Sequence, residues 1–163
     1  VLGGAVAYIT VMKLGEALTL RSQLQTRFQL LRERLKASAV VQEGEQPPED
    51  PTALLAELEA AAAELESLIA RINKTNLATT ISDGRTVTDA LARRDHLGLL
   101  QSALHQLAET ASAAQTRYGK AELRIVRTVD VGALRQRADD LAKERRELDA
   151  SIQESNWQTE LVD

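Results

Sequence analysis

A chain of 163 residues, 44% apolar and 27% charged, is long enough for one domain that buries roughly 70% of the surface its unfolded form exposes. It has no cysteine, which excludes disulfides and thiolate metal sites and makes a reducing cytoplasm the simplest compartment. The net charge of −4 argues against general nucleic-acid binding, yet residues 71–127 hold nine basic and five acidic side chains between two acidic flanks.

The first eleven residues, VLGGAVAYITV, are apolar, uncharged and too short to span a bilayer. They read as an upstream extension, with an edge strand through Tyr8, Ile9 and Val11, ahead of a natural start at Met12. Residues 12–163 then form a single helical-bundle domain. Helix one is expected from about Lys13 to Val40, with Leu14, Ala17, Leu24, Phe28, Leu31 and Leu35 on one stripe. The stretch QEGEQPPEDP cannot continue it and connects a helical hairpin. Pro51-Thr52 opens helix two, which runs to about Lys74 with Leu54, Leu58, Ala61, Leu65, Leu68 and Ile72 spaced alternately four and three apart.

From Asn73 to Val87 the period changes, and Asp83-Gly84 between β-formers predicts a small β-hairpin. Thr86 or Thr88 caps helix three, with Asp89 in its first turn, and the helix continues to about Gln115. The segment AELRIVRTV after Gly119 reads as one extra strand. Helix three, at about 28 residues, is roughly 42 Å long, so that strand either returns to the hairpin over its full length or pairs with another subunit. Asp130 caps helix four, which ends near Ser155 and carries Leu134, Ala138, Leu141, Leu148 and Ile152 on a stripe that Arg145 interrupts. The expected fold is therefore mainly all-α: an antiparallel four-helix bundle of long helical hairpins, with coiled-coil spacing. With only Tyr8, Phe28, Tyr118 and Trp157 as aromatics, its core is built from Leu, Ala, Ile and Val rather than around a deep cofactor pocket.

The blocks MKLGEALTLRSQL, ARINKTN, DGRTVTDALARRD and RTVDVGALRQRADDLAKERRELDASIQESNW, in that order, resemble a bacterial family called septicolysin-like. The likeness covers nearly everything from Met12 to Asp163. It implies a compact helical protein whose biochemical role is uncharacterised, under a family name that suggests a cytolytic toxin.

No motif supplies a catalytic starting residue: GxSxG, GxGxxG and a phosphate loop are all missing. His96 and His105 lie nine apart on one helix, point to nearly opposite faces, and so cannot share a metal. Neither a cofactor nor a metal is expected, and enzymatic activity is not indicated. The candidate binding or subunit-contact residues are Asn73, Asn76, Asp83, Arg85, Asp89, Arg93 and Arg94, with Arg124 and Arg127 on the following strand and Trp157 as an anchor. Arginines near a helix start can grip phosphate or carboxylate in two-point fashion. They serve equally as ion-pair partners within the chain or across subunits. Exposed aromatics for stacking on RNA are scarce there, Tyr118 being the one aromatic in 71–127. The favoured function is a homo-oligomeric assembly or protein-interaction protein in the cytoplasm. The rival is a nucleic-acid or phosphorylated-ligand binder through residues 71–127. A third reading, a hydrolase or transferase, requires Asp83, Arg85 and Asp89 to converge in a concave pocket.

Overall fold

The computed structural model describes residues 11–113 and 126–163. Four helices occur among them: α1 (Leu14–Ser38), α2 (Pro51–Ala78), α3 (Val87–Ala113) and α4 (Val131–Gln158). The all-α class and the four helices follow the sequence pattern, but α2 runs on through Ala78, beyond the end expected near Lys74, and α4 runs to Gln158, beyond Ser155. Each start has a local cause. Lys13 N–H donates to Glu16 Oε2 at 2.8 Å ahead of α1, and Asp50 accepts from Thr52 N–H at 2.9 Å with Pro51 at the first helical position of α2. Thr86 Oγ1 accepts from Asp89 N–H at 3.1 Å and donates to Asp89 Oδ2 at 2.8 Å. Asp130 Oδ1 accepts from Ala133 N–H at 3.0 Å.

The β elements are corrected. Among the described residues no sheet forms, and the Asp-Gly hairpin shrinks to one isolated antiparallel bridge, Thr80 with Thr86. The turn itself is present: Gly84 has a φ of 85° and donates to Ile81 O at 3.0 Å, and Ile81 N–H donates to Arg85 O at 2.9 Å. Helix α2 ends at Ala78 and α3 starts at Val87, so both arms of the turn enter helices before a ladder can grow. Of the extra strand, residues 121–125 lie outside the described residues, and 126–129 carry no strand. Of the edge strand expected through Tyr8, Ile9 and Val11, the first two lie outside them too, and Val11 carries no strand.

The described chain divides into two compact units. In the first, α1 and α2 run antiparallel with buried residues seven apart, Leu24, Leu31 and Ser38 on α1 and Leu54, Ala61, Leu68 and Thr75 on α2. A seven-residue repeat keeps one seam buried over the length of both helices, the packing of a coiled-coil hairpin. At its distal end Arg34 Nε donates to Glu49 Oε1 at 2.9 Å, tying α1 to the connecting loop. That hydrogen bond holds the Glu49 carboxyl below the usual carboxylate range.

The other end of this unit is closed by residues 155–163. Leu14 N–H donates to Thr159 O at 2.9 Å, and Leu161 N–H donates to Met12 O at 2.9 Å. Leu161 joins Leu14, Ala17, Leu24, Leu68 and Ile72 in one buried cluster. Thr75 is fully buried; its Oγ1 donates to Arg71 O at 2.8 Å and accepts from Val162 N–H at 3.1 Å. Thr75→Val keeps the shape and removes that acceptor, leaving the Val162 N–H without its partner. We expect a loss of about 1–3 kcal/mol, read as a lower urea midpoint. An unchanged midpoint would show that this bond does not hold the segment.

The second unit, Thr80–Glu154, packs Ile81, Val87, Ala90 and Leu97 against Leu141, Leu148 and Ile152, again antiparallel. Arg145, at the break in the α4 stripe, lies over Gly98, its Cζ 3.5 Å from where a β-carbon would stand. The missing side chain on α3 makes room for the guanidinium stem. Arg145 is itself exposed, so its stem rests on Gly98 while the charge meets solvent.

Candidate functional site

The arginines singled out on α3 and its preceding turn meet carboxylates of their own unit. Arg93 Nη2 meets Glu144 Oε1 at 2.7 Å, and Arg94 meets Asp95 at 2.8 Å and Asp149 at 3.7 Å. Asp89 is engaged by its Thr86 cap. Asp83 and Arg85 lie 3.6 Å apart and share a shallow cleft of about 180 Å³ with Glu144, Glu147, Leu148 and Ser151. In this lining Arg85 faces the carboxylates of Asp83, Glu144 and Glu147, of which Glu144 is also met by Arg93. Arg127, which is exposed, donates from Nε to Ala111 O at 2.9 Å, and Arg124 lies outside the described residues. His96 and His105 are exposed on α3. Among the described residues, no three His, Asp or Glu side chains are grouped to hold a metal, and no helix is long and apolar enough to cross a membrane.

Trp157 occupies a different place. Its ring lies on Gly15, where a β-carbon would come within 2.9 Å of Cε3, yet the residue is 59% exposed. One face of the indole anchors the last turn of α4 on α1; the rest meets solvent. Asn76 is half-buried on α2.

An apolar concavity lies in the first unit, where Phe28 of α1 faces Ala62, Leu65, Ile69 and Ala70 of α2 across a groove of about 520 Å³. Glu66 and Asn73 form its polar margin. Asn73 is thus the sequence-flagged residue that reaches it. The remaining groove residues were legible as core stripe (Phe28, Leu65) but not as an open surface. The signal was a second apolar line on α2, Leu55, Ala62 and Ile69, offset by one residue from the buried line Leu54, Ala61 and Leu68. Leu55 is 46% exposed.

A family model described as "Family of unknown function (DUF6847)" matches residues 21–161. The crystal structure of a functionally unknown conserved protein from Corynebacterium diphtheriae is similar at 42% identity, with a TM-score of 0.86, over 94% of this chain and 100% of that one. No curated protein matches the chain. These findings correct the septicolysin-like resemblance: the blocks that suggested it fall largely inside residues 21–161, which match a different family, and neither finding points to a lysin. Short helical blocks rich in Leu, Ala, Arg and Glu recur in many unrelated hairpins, so their order alone does not define a family.

Proposed function

We propose that this chain, which belongs to the DUF6847 family of unknown function, is a helical assembly protein that works by self-association through the open faces of its helices. One observation carries the proposal: the first unit leaves an apolar groove open beside its own buried seam. Arg93 and Arg94, whose types suit either ligand binding or ion pairing, meet carboxylates of α4. That arrangement favours a structural role for the basic middle over phosphate binding. The α1–α2 groove offers shape and apolar area but few converging polar groups, which suits a protein surface better than a small polar substrate.

Light scattering at low and high salt tests the proposal. The expected result is a mass that is a multiple of 17.8 kDa and persists at high salt, because burial of apolar area is not screened. A mass of one chain at every concentration would refute self-association.

A further inference from the structure

We infer that a second copy of this chain seats on the α1–α2 groove, with α1 of each copy lying over α2 of the other, and that charge selects this arrangement. The inference rests on the self-association proposed above and adds the surface and the orientation. A helix with a single neighbour needs one narrow apolar seam, whereas a helix inside a four-helix bundle has two neighbours and needs a wider apolar face. Helix α2 has the wider face. Its buried line of Leu54, Ala61 and Leu68 is flanked by Leu55, Ala62 and Ile69, and Ala62 is exposed. Two hairpins stacked groove to groove would complete a bundle.

Two such hairpins can stack about a two-fold axis in two ways. An axis running along the helices lays α1 over the partner's α2. An axis running across them lays α1 over the partner's α1. The charges of the two margins differ in sign. On the stripe of Phe28 stand Arg21, one heptad earlier, and Arg32, one turn later; on α2, Glu59 stands one heptad before Glu66. Over their full lengths, α1 holds five basic and two acidic side chains, while α2 holds four acidic side chains before its first basic one, Arg71. Stacking α1 on α1 therefore sets arginine against arginine and glutamate against glutamate. Stacking α1 on α2 sets opposite charges face to face. The register agrees. Leu31 clusters with Leu54 and Ala61, and Leu35 and Leu58 pack on them, so Arg32 is level with Glu59 along the hairpin. Rotation about an axis along the helices preserves that level and brings Arg32 opposite the partner's Glu59. Among the described residues Arg32 pairs with Glu33 beside it, and Glu59 is exposed.

Sedimentation equilibrium on the full chain tests this with Arg32→Glu, Glu59→Arg and the two combined; circular dichroism confirms that each exposed-site variant stays folded. Each single reversal acts twice in a symmetric dimer and is expected to weaken association about tenfold at low salt, with the loss shrinking at high salt. The double variant restores opposite charges across the interface and is expected to return to within about threefold of the parent. Tighter association of Arg32→Glu would overturn the inference in favour of α1 on α1. An oligomer indifferent to all three variants would overturn this surface while leaving self-association standing. A parent chain that is monomeric throughout, as expected if the groove receives a different protein, would remove both.

Discussion

Ile72→Ala is expected to cost about 2–5 kcal/mol, the range for truncating a large aliphatic side chain in a packed core. Ile72 is 1% exposed and belongs to the cluster that gathers Leu14 and Leu24 of α1, Leu68 of α2 and Leu161 of the closing segment. Three parts of the chain separated in sequence meet in this cluster, so the cavity left by truncating Ile72 is not readily filled by a local shift of one helix. Against a total stability of about 5–15 kcal/mol for a typical domain, such a loss is large. Urea unfolding monitored by circular dichroism should show a lower midpoint. Leu30→Ala, at a position 59% exposed, is the comparison and should change stability by no more than about 0.5 kcal/mol. Equal losses in the two variants would contradict the placement of the core.

Ala62→Arg should separate assembly from folding. Ala62 lies on the exposed second stripe of α2 and lines the groove, so an arginine there has room in the isolated chain and is a good helix former. In an assembled pair the same guanidinium enters an apolar contact without a partner, and burying an unpaired charge costs several kcal/mol. The expected outcome is an unchanged thermal midpoint in the dissociated state together with loss of the oligomer at concentrations where the parent is assembled. An oligomer of undiminished mass would place the interface elsewhere. One such place is the surface around Trp157, whose ring is anchored on Gly15 but remains largely open.

Much of the fold was legible because helices announce themselves through local signals. Pro51-Thr52, Thr86 with Asp89, and Asp130 each mark a helix start that the structure places within a residue, and the four-three spacing of apolar residues marks the buried seams. The Asp-Gly turn was equally legible, but its growth into a hairpin was not, because a ladder depends on how soon the flanking helices begin. Closure of the first unit by residues 155–163 was hidden for a different reason. It depends on backbone groups of Met12, Leu14, Thr159 and Leu161, which leave no pattern in the side chains, and on Thr75, which as a lone threonine on a helix carries no distinguishing spacing.

The candidate site divides along the same line. That Arg93 and Arg94 would find carboxylates was readable from their types; that Glu144 and Asp149 on α4 would supply them required the antiparallel register of α3 and α4. Arg145 was legible as the break in the α4 stripe; that it lies over Gly98 was not. A helical pattern identifies which stripe is apolar. It does not say which of two adjacent stripes is buried inside the hairpin and which is left open, and on α2 that distinction separates core from candidate interface.

The central claim is that the chain assembles through this open stripe. Sedimentation equilibrium of the parent chain beside Ala62→Arg, over the same range of concentration, tests it most directly. The account predicts a parent whose mass rises to a multiple of 17.8 kDa and a variant that stays at one chain. Identical masses for the two, whether monomeric or assembled, would contradict it.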